Sequence, residues 1–180
     1  MRRLAPLLLL PLLLGAAAAR DPLAEAEARL WEGKYDDVES WVKRTEGAHR
    51  PEAEGLLGES LRRRGRYADA RKQLESALVK HGKSALRVRY ELGLVYELTG
   101  ELPLAKAIWN GFYDDYEGGG LDKTKARDLR YVALAAQHLR SWRDANDLFR
   151  DSLAADPKGK EGALTNLTWA ALFLDKYDAA

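Results

Sequence analysis

The chain has 180 residues, with 29 basic side chains against 28 acidic ones and no cysteine. The near-balance of charge removes the electrostatic case for nucleic acid or an anionic membrane surface. The missing thiols exclude a disulfide framework, a thiolate zinc site, a cysteine nucleophile and a lipid-modified cysteine.

Residues 1–19 read as a secretory signal peptide. Arg2 and Arg3 give a positive start, Leu4 to Leu14 an apolar stretch, and Ala16 to Ala19 small residues for cleavage. The apolar stretch is shorter than the roughly 20 residues of a spanning helix. No stable membrane span is therefore expected after cleavage, and a retained anchor is the alternative. The expected location is periplasmic or extracellular, in the cell envelope.

The remaining 20–180 read as helices at 22–32, 35–46, 51–64, 67–81, 84–99, 102–117, 123–139, 142–155 and 161–174. No strand-like alternation interrupts them. Leu23, Ala26, Leu30 and Trp31 make the apolar side of the first helix, and Pro103 sits in a first turn, where its missing donor costs little. The longest irregular piece is 117–122, with three glycines. Asp156-Pro157 blocks helical continuation.

A six-residue unit recurs at the turns: Gly33-Lys-Tyr-Asp-Asp-Val38, Gly65-Arg-Tyr-Ala-Asp-Ala70, Gly100-Glu-Leu-Pro-Leu-Ala105, Arg140-Ser-Trp-Arg-Asp-Ala145 and Asp175-Lys-Tyr-Asp-Ala-Ala180. A period near 34 marks stacked helical hairpins. Seven residues upstream of each turn stand Gly58, Gly93, Ala133 and Thr168, small enough for a partner helix to approach closely. After the turn, Ala70, Ala105 and Ala145 are followed four residues later by Leu74, Trp109 and Phe149, on one helical face. The repeat-packing set is thus Gly58, Gly93, Ala70, Ala105 and Ala145. The unit's aromatics (Tyr35, Tyr67, Trp142, Tyr177) are placed to wedge between hairpins. Glycine suits the left-handed backbone that ends a helix, so Arg140 and Asp175 imply strain or a different cap.

These units, with the Leu57-Gly58 and Leu92-Gly93 pairs, Tyr96 and Pro157, resemble the tetratricopeptide repeat family. The resemblance covers about 23–180 and implies an all-α, right-handed α-α superhelix of about four and a half hairpins. The repeats run at about 20–48, 49–82, 83–120, 121–158 and a truncated 159–180, the first being degenerate. The fifth hairpin lacks its covering helix. This implies a longer protein or self-association through the uncovered face.

No catalytic constellation emerges, so this segment reads as non-enzymatic, with no cofactor and no metal. His49, His81 and His138 lack metal-ligand spacing, and the first two, in hairpin connections, are expected to be solvated. Asp114, Asp115, Glu117 and Asp122 do not match a calcium loop and read as a flexible acidic loop. The resemblance implies that the concave face is built from helix positions off the packing stripe. Here these include Arg62, Arg87, Tyr90, Arg127, Arg130, Gln137 and His138, candidates for binding a protein or extended acidic peptide. The family's lysine-asparagine carboxylate clamp is absent: Gly55/Glu59, Tyr90/Leu94 and Arg130/Leu134 occupy its places.

The function that follows is an exported scaffold for protein or peptide binding in the bacterial cell envelope. Asp114-Asp115-Tyr116-Glu117, Ala145 to Arg150 and Leu172 to Tyr177 also resemble exported bacterial repeat proteins with a C-terminal peptidase MA-like metallopeptidase domain. That second resemblance implies an accessory arm of an enzyme whose catalytic part lies beyond residue 180.

Overall fold

A computed structural model describes residues 21–157 and 171–173. The leader at 1–19, most of the helix expected at 161–174, and Thr168, Trp169, Asp175 and Tyr177 lie outside the described residues.

Among the described residues, eight α-helices run in turn from residue 22 to residue 155: α1 (Pro22–Trp31), α2 (Tyr35–Arg44), α3 (Arg50–Arg63), α4 (Tyr67–His81), α5 (Leu86–Leu98), α6 (Leu102–Glu117), α7 (Ala126–His138) and α8 (Trp142–Ala155). They pair as four antiparallel hairpins. The odd-numbered helices touch their odd neighbours, and each even helix also packs on the odd helix that follows it.

Small residues set how closely the hairpins close. A Cβ placed on Gly58 would lie 2.3 Å from the Leu74 side chain, and one on Gly93 would lie 2.3 Å from the Trp109 ring. Both distances are well inside van der Waals contact, so only glycine permits these approaches. Ala133 is fully buried, as are Ala70, Ala105 and Ala145 on the opposing helices. The buried side chains form three clusters along the stack, centred on Leu30 and Leu56, on Leu74 and Leu92, and on Trp109, Phe112 and Phe149. Each cluster draws on consecutive hairpins, so burial of apolar surface, at about 25 cal/mol per Å², joins each module to the next.

All four described hairpin turns use one cap. The turn residue's N–H bonds back to the carbonyl three residues earlier, and the next N–H reaches five residues back: Gly65 to Arg62 and Arg66 to Leu61, both at 2.9 Å. This is the Schellman arrangement, which requires a left-handed residue. Gly33, Gly65 and Gly100 supply it with φ between 73° and 80°. Arg140 supplies it with φ of 62°, alone among the described non-glycine residues in having positive φ. The strain expected there is present, and the cap is unchanged.

Three helix ends depart from the sequence reading by more than one residue. Helix α2 stops at Arg44, two residues early, because Thr45 turns extended. Arg50 takes up the freed carbonyls, donating to Val42 O at 2.8 Å and Thr45 O at 3.0 Å. Helix α5 begins at Leu86, after a short 3₁₀ turn at Gly82–Ser84. Helix α7 begins at Ala126 because Asp122 closes its own turn, accepting from Thr124 N at 2.9 Å and Thr124 Oγ1 at 2.7 Å. Such local side-chain bonds compete with helix.

Trp31 does not join the apolar side of α1. It is 74% exposed, with the Arg63 guanidinium 4.2 Å from its ring centroid. The aromatics that open the even helices differ in role. Tyr67 is exposed, whereas Trp142 stacks on Phe173 with centroids 4.5 Å apart.

Candidate binding surfaces

The odd-numbered helices form one row, and that row is curved. Glu27 on α1 pairs with Arg87 on α5, passing over α3. Glu52 on α3 pairs with Arg127 on α7, passing over α5. Packed helices lie 8–10 Å apart, so helices two places apart in a flat row are separated by about 16–20 Å. One glutamate and one arginine close that span readily only on the inside of a bend. These two pairs therefore mark the inner face.

Gly55 makes the first crossing possible. A Cβ there would lie 2.8 Å from Cγ and 2.9 Å from Cβ of Arg87. Arg87 thus lies across the bare backbone of α3. Beyond it, the guanidinium meets Glu59 Oε2 at 2.8 Å, and Glu59 Oε1 meets Arg63 at 2.8 Å. Arg62 donates to Glu91 at 2.7 Å.

Burial sets the charge states in this network. It works against ionisation of Glu59, but Arg87 and Arg63 outweigh it and hold the carboxyl below the usual range. Burial also disfavours the charge on Arg87, and neighbouring groups, Glu59 and Glu27 among them, raise its pKa regardless. Glu91 goes the other way. Burial, joined by repulsion from Glu59, pushes its carboxyl up to about 7 despite Arg62.

Three of the four candidate arginines are therefore committed within the chain. Arg87, with a side chain only 14% exposed, is a strut between helices, and Arg62 and Arg127 each hold a carboxylate. Arg130 is exposed, with its guanidinium 5.7 Å from the Tyr131 ring centroid. Tyr90 packs edge-on against Tyr131 and His138, at 5.9 Å in each case. Gln137 lines a cleft farther along.

His138 lies in an aromatic nest. Its ring stacks on Trp109 at 4.4 Å and 15°, and Nδ1 is 3.0 Å from Glu97. Trp109 Nε1 donates to the same Glu97 oxygen at 2.7 Å. Burial lowers the His138 pKa against the attraction of Glu97. His81, expected to be solvated, is instead largely buried and held 3.0 Å from Glu54. Sequence spacing of 27 residues gave no hint of that partner.

A cleft of about 1090 Å³ opens at the turn edge of the stack, lined by Glu97, Leu102, His138, Arg140, Trp142 and Phe173 among others. The four acids near 114–122 are not gathered. Asp115 meets Arg89 at 2.8 Å and Lys83 at 3.1 Å, while Asp122 serves its own turn. Leu121 is buried and anchors the loop. Among the described residues no group of three histidine or acidic side chains is placed to hold a metal ion, and no helix is long and apolar enough to cross a membrane.

The four described hairpins share one cap, and on α3 and α5 a glycine faces a large side chain of the partner helix. The fold is a tetratricopeptide-type solenoid. No family model matches the sequence, and no curated protein does. Among solved structures, this solenoid is similar to a putative kinesin light chain with TPR-like repeats from Podosopora anserina, at 16% identity over 88% of this chain and 87% of that one, TM-score 0.49. It is similar to a tetratricopeptide repeat protein from Parabacteroides merdae, at 18% identity over 87% and 60%, TM-score 0.47. PcrH from Pseudomonas aeruginosa matches at 18% identity over 74% and 95%, TM-score 0.46.

Glu27 and Glu52 escaped the sequence reading of this solenoid's surfaces, Gly55 entered it only as a place in the absent clamp, and Trp109 only as a packing residue. Gly55 carried a usable signal. It stands in a column whose other members are Tyr90 and Arg130, so a mid-helix glycine there implies that something crosses it. The partners of Glu27 and Glu52 lie 60 and 75 residues away and carried none.

Proposed function

We propose that the protein is an exported scaffold that binds protein segments along its stack of hairpins in the bacterial cell envelope. The curved row of odd helices, marked by the Glu27–Arg87 and Glu52–Arg127 pairs, is the observation that carries the binding reading. It creates a long inner surface on which Arg130 stands exposed beside Tyr90 and Tyr131. Such surfaces suit extended partners. The composition of residues 1–19 supports export.

Because the inner arginines already hold carboxylates, an acidic partner would have to displace an internal acid to reach them. The inner face therefore favours a segment that packs on its aromatic and arginine faces over one that relies on new ion pairs. A photo-crosslinking residue at Arg130, compared with one at Lys72 on the exposed side of α4, tests this in cells. Discrete adducts from the first position and none from the second are expected. Equal labelling from both would overturn the inner-face reading. Fusing residues 1–20 to a reporter active only outside the cytoplasm tests export, which a silent fusion would refute.

A further inference from the structure

We infer that the cleft at the turn edge, which the inner-face candidates Gln137 and His138 border on one side, is a docking site for an acidic protein segment carrying carboxylate side chains beside a large apolar residue. The inference rests on the scaffold reading and adds a second surface with a defined chemistry.

Arg140 is the first observation. It holds the left-handed position that glycine holds in the three preceding hairpins, with φ of 62°. A side chain there is strained, and strained residues persist where the surroundings or a function retain them. Nothing in the hairpin cap needs a guanidinium, because Arg140 N and Ser141 N make the same backbone bonds as the glycine turns.

The second observation is charge. Arg140 borders the large cleft and a smaller adjoining one of about 270 Å³, which Lys106 also lines. Both side chains are exposed, and neither pairs with a carboxylate among the described residues. On the inner face Arg62, Arg63, Arg87 and Arg127 are all paired, and Arg130 alone of its arginines stands exposed beside a tyrosine ring among the described residues. The cleft's own acids are engaged. Glu97 accepts from Trp109 and lies beside His138, and Asp144 accepts from Tyr113 Oη at 3.3 Å. Arg140 and Lys106 are thus the cations there that hold no carboxylate among the described residues, in a cleft that Glu97, Asp144 and Arg143 also line.

The third observation is the apolar wall. Leu102 lines both clefts and is 62% exposed. The half-buried Trp142–Phe173 stack lines the large cleft as well. Two cations beside such a wall match carboxylates flanking a bulky apolar side chain, and arginine's planar fork suits the carboxylate.

Fluorescence anisotropy of the purified protein tests this with three dye-labelled peptides. They are an amidated peptide of alternating glutamate and leucine, its lysine-leucine counterpart, and a leucine-alanine peptide whose one carboxylate is a free C-terminus. The expected result is binding of the first alone. Affinity should fall several-fold in Arg140→Gly and at least ten-fold in Arg140→Gly with Lys106→Gln, with Lys72→Gln unchanged. Arg140→Gly should melt no lower than wild type, so lost binding cannot be assigned to unfolding. Equal binding of the lysine peptide, binding of the free-terminus peptide alone, no binding, or undiminished affinity in the double variant would each overturn the site. Inner-face crosslinking at Arg130 would survive any of those outcomes, which separates failure of this site from failure of the scaffold reading.

Discussion

Arg87 crosses α3 at Gly55, its Cγ 2.8 Å from where a Cβ of residue 55 would lie. A glycine inside a helix ordinarily costs about 0.5–1 kcal/mol relative to alanine. Here the missing methyl makes room for an arginine that ties α5 to α1. Gly55→Ala should therefore destabilise the protein by about 1–2 kcal/mol, the overpacking cost exceeding the propensity gain. Urea denaturation measures it. A stabilised variant would mean that Arg87 lies elsewhere. A double-mutant cycle with Glu27→Gln should show coupling of about 0.5 kcal/mol, small because Glu27 is partly exposed.

The contact between Gly93 and Trp109 is tighter still. Gly93→Ala should cost roughly 1–3 kcal/mol, since the ring is fixed by its bond to Glu97 and its stacking on His138. Trp109→Leu is itself costly, since it empties a buried site, but combined with Gly93→Ala the two losses should sum to less than additive, because the smaller side chain leaves room for the new methyl. Additive losses in thermal melts would contradict the assignment.

Glu91 gives a pH signature. Its folded pKa, about 7, lies above the ordinary carboxyl value, so the native state binds the extra proton. Stability from this group is full below the unfolded value and is lost as pH rises through about 7. Glu91→Gln removes the titration. Relative to wild type the variant should therefore gain stability between about pH 4.5 and pH 7, by up to roughly 3 kcal/mol. Parallel stability curves across that interval would refute the shift.

Arg140→Gly relieves a left-handed backbone that costs an L-residue roughly 1–2 kcal/mol. Glycine's greater unfolded-state entropy offsets about 0.5–1 kcal/mol of the gain. The net change should be a stabilisation of about 0.5–1 kcal/mol, read from the denaturation midpoint. A destabilised variant would show that the arginine side chain holds the turn together.

The packing skeleton was legible because it obeys periodicities. Gly58 with Leu74 and Gly93 with Trp109 recur at matched spacing, and the turn glycines mark three of the four described caps, the repeat period placing the fourth at Arg140. The surfaces were legible only in part. The family resemblance implies an inner face that includes Arg62, Arg87 and Arg127, but no spacing along the chain shows that they are paired, since their partners Glu91, Glu27 and Glu52 sit on other helices. Trp31 misled because a tryptophan beside Leu30 looks like core. It lies at the end of α1, where the stack offers it only Arg63.

Solenoid arrays are commonly treated as beads whose stabilities add bead by bead. The two long-reach ion pairs break that independence here, since Glu27 answers to Arg87 and Glu52 to Arg127 across an intervening helix. Deleting the second hairpin would orphan charges on both flanks, so shortened forms should unfold earlier than summing the remaining units foretells.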